Sequence, residues 1–160
     1  MAKPGWQDLW RRPVHLFAFG FGSGLAPKAP GTFGTIAAIP LYLLLAGLPL
    51  WAYGLVVVLA FAAGVYICDK TARDLGVHDH PGIVWDEFVG LWITLLAVPL
   101  HWFWLLLGFA WFRLFDVLKP WPISWCDRNV GGGFGIMLDD VLAGIMALVA
   151  MQVCLRVLPW

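Results

Sequence analysis

The stretch from Ile36 to Cys68 carries no charged residue. It is too long for one membrane-spanning helix, which needs about 20 residues and at fewest about 17, and it holds Pro40, Gly47 and Pro49. The pattern predicts a tight hairpin, with one helix near 34–48, a turn at Gly47-Leu48-Pro49, and a second helix near 51–68. A second apolar stretch, Phe88 to Phe112, is interrupted at Pro99-Leu100-His101. Proline removes a helical hydrogen bond and bends the chain, so two short helices in a second hairpin fit better than one long tilted helix. Val141 to Leu158 predicts one more span. The segment 15–35, HLFAFGFGSGLAPKAPGTFGT, is apolar but rich in glycine and proline. It predicts an interfacial or re-entrant segment, because irregular backbone at membrane depth must be covered by protein or wetted by a cavity. The expected fold is all-α: a multi-pass helical membrane protein of about four to five membrane helices in hairpins, forming one domain over residues 1–160.

Composition supports the membrane reading. Hydrophobic residues make up 61 % of the 160 and charged residues 12 %, against about 45–50 % and about 25 % in soluble domains. A soluble fold of this size would lack the polar side chains to cover its outside. The first residues, MAKPGWQDLWRRP, are basic, but no small-residue cleavage site follows, so no cleavable signal peptide is expected. Ten Lys and Arg balance ten Asp and Glu, and no nucleic-acid partner is expected.

The distribution of charge says more than its sum. With turns at 47–50 and 98–101, the segments 1–33, 69–87 and 113–140 fall on one side. They hold Lys3, Arg11, Arg12, Lys28, Lys70, Arg73, Arg113, Lys119 and Arg128, leaving Arg156 opposite. Basic residues favour the cytoplasmic side. All ten acidic residues fall on that side too, which orientation alone does not require. Most of the 11 tryptophans suit interfacial anchoring.

Two acidic pairs precede apolar runs: Asp86-Glu87 before FVGLWITLLAV, and Asp139-Asp140 before VLAGIMALVAM. Helix capping and dipole compensation, worth about 0.3–1 kcal/mol, would explain one pair. Two pairs on one membrane face point to function, since ionisable groups near hydrocarbon are costly. Asp86 lies four residues before Gly90, and Asp140 four before Gly144. Residues i and i+4 share a helix face, and small residues let membrane helices approach closely. Asp86 and Asp140 are therefore expected in one helix–helix seam, with Glu87 and Asp139 beside it. Converging carboxylates repel unless a cation joins them, and hard oxygen ligands favour Mg2+.

Two further elements suit an anion. In FRLFDVLKPWPISWCDRNVGGGFG (112–135), Asp116 and Lys119 lie one helical turn apart, followed by Arg128 and glycines 131–133 and 135. Cations and bare backbone N–H groups suit phosphate, although an ion pair and a flexible loop would also read this way. In GSGLAPKAPGTFG (22–34), Ser23, Lys28 and Thr32 are candidate anion-binding groups, with a membrane-surface loop as the alternative. His78 and His80 lack further metal-ligand spacing and read as solvated loop residues. Cys68, Cys126 and Cys154 show neither a metal nor a disulfide pattern. A Cys-x5-Arg phosphate cradle fails as well, because Gly132 stands where Cys126 would need arginine.

At these residues the sequence resembles the phosphatidylglycerophosphatase A family of bacterial inner membranes. The matching stretches are GSGLAPKAPGTFGT (22–35), GVHDHPGIVWDEFVGLW (76–92), FRLFDVLKPWPISWCDR (112–128) and GGFGIMLDD (132–140), in the family's order. The resemblance implies a Mg2+-dependent hydrolase that converts phosphatidylglycerol phosphate to phosphatidylglycerol and inorganic phosphate, and the charge asymmetry puts the motif loops, and so the expected active site, on the cytoplasmic face. Asp86, Glu87, Asp116, Lys119, Asp139 and Asp140 match the family's polar positions. Helix geometry suggests Asp86 and Asp140 as the primary metal ligands, with Glu87 and Asp139 as further ligands or supports. Asp116 is read as ligand, base or nucleophile, and Lys119 and Arg128, with Lys28, Ser23 and Thr32, as phosphate-binding groups. The competing readings are a non-enzymatic ion-binding membrane carrier, or another membrane enzyme acting on phospholipid head groups. A carrier would place its acids near the bilayer midplane, and the spaced Asp-Gly…Ala-Arg…Asp…Asp signature of CDP-lipid transferases is absent.

Overall fold

The structure is a computed structural model that describes residues 4–159, and Lys3 lies outside them. The described residues form helices and no strands. Two short helices, α1 (Trp6–Arg11) and α2 (Pro13–Ala18), lead through a 3-10 turn at Gly20–Leu25 into α3 (Pro30–Leu45). The chain then forms α4 (Leu50–Leu75), α5 (Trp85–Thr94), α6 (Trp102–Leu118), α7 (Ile123–Asn129) and α8 (Gly132–Val157).

Both predicted hairpins are present. α3 and α4 are joined by a four-residue turn containing Gly47 and Pro49, although α3 starts earlier than the apolar pattern suggested and runs through Pro40. The stretch 88–112 is two helices, but very unequal ones. α5 has ten residues, about 15 Å at 1.5 Å per residue, half the roughly 30 Å hydrocarbon core. Eight of its ten residues are buried, and it packs against α3, α4, α6 and α8. A helix apolar nearly all round belongs inside a structure. α5 is therefore a short central post, with its acidic first turn at one end.

Among the described residues two helices, α4 and α8, are long and apolar enough to cross a membrane. Only 17 % of α4's apolar window is buried within the molecule, against 50 % for α8. A long apolar helix left this uncovered, with Leu55, Val58 and Leu59 exposed, presents its side chains outward. Exposed tryptophans fall at both ends: Trp6, Trp10, Trp121 and Trp125 near the acidic end, and Trp51 and Trp102 at the starts of α4 and α6. This is the distribution expected of interfacial anchors.

The start of α8 departs from the sequence reading. The apolar run begins at Val141, so Asp139-Asp140 looked like a helix opening. The helix in fact begins at Gly132, and the pair sits in its third turn. The glycines read as a flexible phosphate loop belong to that helix or its cap. A Cβ on Gly133 would collide with the Val65 carbonyl of α4. These glycines serve close packing.

Candidate functional site

Four elements converge on one cavity of about 400 Å³. α5 contributes Asp86 and Glu87 from its first turn, and α8 contributes Asp139 and Asp140. α6 contributes Arg113 and Asp116, with Lys119 just past its end, and α3 presents Pro30 and Gly31. The depth of the acids follows from α5 and α8 lying almost backbone to backbone. A Cβ on Gly144 would lie 2.6 Å from the Gly90 carbonyl oxygen, and one on Gly90 would lie 2.9 Å from that of Asp140. Glycine at both positions is what permits the approach. Thr94 lies in the seam: its hydroxyl donates to the Gly90 carbonyl of its own helix at 2.9 Å and to the Gly144 carbonyl of α8 at 3.4 Å.

Asp86, Glu87 and Asp140 each offer a carboxylate oxygen, all three within 4.8 Å of one another. Asp86 Oδ1, Glu87 Oε2 and Asp140 Oδ2 are buried without a hydrogen-bond partner among the described residues. Three carboxylates so placed, two buried and Asp86 half-buried, repel, and each orphaned oxygen carries a desolvation cost. The donor set is all oxygen, from hard anionic ligands, which suits Mg2+. Glu87 was expected beside the seam. Its carboxylate nonetheless reaches the cluster from the first turn of α5.

Asp139 sits differently. Its Oδ1 accepts from the Asp140 N–H at 3.0 Å, and its Oδ2 accepts from Lys119 Nζ at 2.7 Å. Both oxygens are engaged, so it stands at the cluster's edge as a partner to Lys119. Lys119 also donates to Asp127 at 2.6 Å. Burial disfavours its charge, but the hydrogen bonds to Asp127 and Asp139 outweigh this and hold the ammonium above the ordinary lysine pKa. Lys119 caps α6 with φ 43° and ψ 57°, a left-handed conformation uncommon outside glycine. The turn swings it away from Asp116, its neighbour along the helix, and toward α8.

Asp116 is paired with Arg113, which also lies 3.9 Å from Glu87. Sequence reasoning counted Arg113 only as a topological charge. Its spacing three residues before Asp116 was the available signal. Gly31 is a second residue missed, since a Cβ there would run into Glu87 Oε1 and lie 3.2 Å from Arg113 Nη1. The remaining candidate anion binders do not line this cavity. Arg128 is exposed and turns back to the Ser124 carbonyl at 2.9 Å. Ser23 donates to the Gly20 carbonyl at 2.9 Å. Lys28 is exposed and Thr32 half-buried. His80 lines the cavity wall and accepts the Gly82 N–H at 2.9 Å. Cys68 and Cys126 are buried thiols, and Cys154 is half-buried.

A family model described as phosphatidylglycerophosphatase A matches residues 16–155. The chain is 57 % identical over 136 residues to the phosphatidylglycerophosphatase A of Escherichia coli strain K12, covering 84 % of this chain and 79 % of the relative. It is 52 % identical over 139 residues to the protein of that name in Haemophilus influenzae, covering 86 % and 85 %. It is 42 % identical over 146 residues to a Bacteroides thetaiotaomicron protein named as a candidate phosphatidylinositol-3-phosphatase, covering 86 % and 91 %. No solved structure matches.

Proposed function

The chain belongs to the phosphatidylglycerophosphatase A family, and from that premise we propose that it hydrolyses phosphatidylglycerol phosphate to phosphatidylglycerol and inorganic phosphate, with Mg2+ held in the acid cavity. The observation that carries this reading is the set of three converging carboxylates, each with a buried unpartnered oxygen. A phosphomonoester dianion cannot enter such a site against uncompensated negative charge. Asp86, Glu87 and Asp140 would hold the ion. When bound, Mg2+ offsets the charge on the phosphoryl group and polarises it.

The remaining residues divide the work by their partners. Lys119 and Arg113 stand on the cavity wall and offer N–H donors to phosphoryl oxygens, which charge-assisted hydrogen bonds hold strongly. Asp139 fixes Lys119, and Arg113 fixes Asp116. Asp116 is then an oriented carboxylate at the cavity edge, suited to take a proton from the attacking water. The engaged oxygens of Asp139 give it a supporting role.

The setting is a membrane protein of the bacterial inner membrane. In this reading α4 and α8 cross the bilayer, the shorter α3 and α6 flank them around the half-length α5, and the acid cavity opens on the cytoplasmic side. Nine of the ten Lys and Arg residues fall at that end in sequence, which supports this orientation. The step belongs to phosphatidylglycerol synthesis. Purified protein should release phosphate from phosphatidylglycerol phosphate, lose this on rigorous chelation, and regain it with Mg2+. Full activity after chelation would rule out the metal.

A further inference from the structure

A second cavity, of about 220 Å³, adjoins the acid cavity and shares Pro30, His80 and Pro81 with it. Among the described residues no Asp, Glu, Lys or Arg lines it, and its other walls include Phe19, Ala26 and Pro27. The walls are fixed by packing. A Cβ on Gly24 would collide with the Gly82 carbonyl, and one on Gly82 with the Phe19 ring. Val84 N–H donates to the Ala18 carbonyl at 2.8 Å, tying the N-terminal segment to the 80–84 loop. The two cavities meet at Pro30, His80 and Pro81, so a group bonded to a phosphate seated among the acids would lie next to this space.

We propose that this second cavity is the subsite for the alcohol that carries the phosphomonoester, a small polyol of the size of glycerol, and that the loop 24–27 selects the lipid head group. The inference rests on the phosphatase reading above. The alcohol carbon is the next group after the ester oxygen, so the adjoining cavity is where it goes. The acyl chains lie beyond a further phosphodiester and would not reach it. The uncharged walls take the C–H faces of a polyol. The names of the relatives include both glycerol and inositol lipids, so head-group choice is a property that varies among similar chains.

The test compares two competitive inhibitors of phosphate release in detergent with Mg2+. Glycerol phosphate fills both cavities, and inorganic phosphate fills only the first. Wild-type protein should bind glycerol phosphate about tenfold more tightly than inorganic phosphate. Ala26→Leu, which places a larger side chain in the second cavity, should bring the two inhibitors to parity and leave the inorganic phosphate constant unchanged. An unchanged ratio, or equal weakening of both inhibitors, would overturn the subsite. Should Ala26→Leu not fold, Ala26→Cys keeps nearly the original size. Its thiol should be protected from a methanethiosulfonate reagent by glycerol phosphate and not by inorganic phosphate, in a Cys154→Ser background. Equal protection by the two, or none, would again overturn it. Wild-type protein that releases no phosphate from phosphatidylglycerol phosphate would sink the underlying reaction, which normal release with an unchanged inhibitor ratio would not.

Discussion

Two groups of acidic side chains occupy the same end of this molecule and are built on opposite terms. At the C-terminal end of α4, Asp69 pairs with Arg73, and Asp74 pairs with Lys70, His15 and Arg12. Asp69 also accepts the Gly133 N–H at 3.2 Å, satisfying the first turn of α8. Each of these carboxylates has its charge answered by the chain itself. Around the α5–α8 seam, Glu87 and Asp140 are buried and Asp86 half-buried, and all three keep oxygens with no partner among the described residues. A fold that only needed stability would have paired or replaced them, since unpaired buried carboxylates are costly. The first group holds elements together, and the second is the set we propose to hold a cation.

The largest effect expected from this contrast is on turnover. Asp86→Asn and Asp140→Asn keep shape and remove charge, and each should lower phosphate release about 1,000-fold. The double variant should lose little more, because residues that act as a unit are not additive. Mg2+ affinity should fall in both single variants while the proteins stay folded and membrane-inserted. Near-normal activity and metal affinity in both would erase the distinction between the two acid groups.

Next in size is the seam that sets the depth of the cluster. Gly144→Leu inserts a side chain where even a Cβ would lie 2.6 Å from the Gly90 carbonyl oxygen. Overpacking of this kind costs about 1–3 kcal/mol, and here it also separates α5 from α8. Activity should be lost even where folded protein is recovered, as judged by helical circular dichroism and size-exclusion profile. A folded Gly144→Leu variant with full turnover would show that the cluster tolerates a wider spacing.

The seam shows what was legible in the sequence. The spacings Asp86–Gly90 and Asp140–Gly144 are local helix geometry, so they were readable without knowing the fold. The hairpin turns were readable for the same reason, from Gly47-Leu48-Pro49 and from Pro99. What escaped depends on tertiary packing. Gly131 to Gly135 reads as loop by composition, yet helix α8 begins there because Gly133 lets it lie against the backbone of α4. That moved Asp139 and Asp140 from a helix opening to a third turn. The length of α5 was equally hidden, because an apolar run does not say where a chain stops being helical. Lys119 was placed beside Asp116 by helical spacing, and the left-handed cap carries it instead to Asp139. Ser23, Thr32, Lys28 and Arg128 were grouped with the site on residue type alone, and the fold sets them away from the cavity lining.

A smaller effect is expected at the border between the two groups. Lys119 pairs like the structural acids' partners but faces the cavity. Lys119→Met should raise KM about tenfold, the worth of a charge-assisted hydrogen bond to phosphate, and leave part of kcat. Lys119→Arg should recover some of the KM loss. An unchanged KM in Lys119→Met would place Lys119 wholly among the structural ion pairs.

The smallest effect belongs to the paired group, and its smallness is the point. His15 is 2 % exposed, and its Nε2 lies 3.0 Å from Asp74 Oδ2. Lys70 and Arg12 approach the same carboxylate from outside. Asp74→Asn removes the charge that holds these three groups but leaves an amide that can still meet the His15 ring. Partly exposed ion pairs contribute little each, so the helical bundle should survive. The loss should be confined to the docking of α2 on α4, seen as faster amide exchange across 13–18 and a slightly lower unfolding midpoint in detergent. Phosphate release should stay within about twofold of wild type, since surface ion pairs away from a site rarely move its energetics by more than a few tenths of a kcal/mol. A large loss of turnover in Asp74→Asn, with Mg2+ affinity unchanged, would mean that the N-terminal helices govern the cavity through Phe19 and the 80–84 loop. The paired acids would then have to be counted as part of the catalytic machinery.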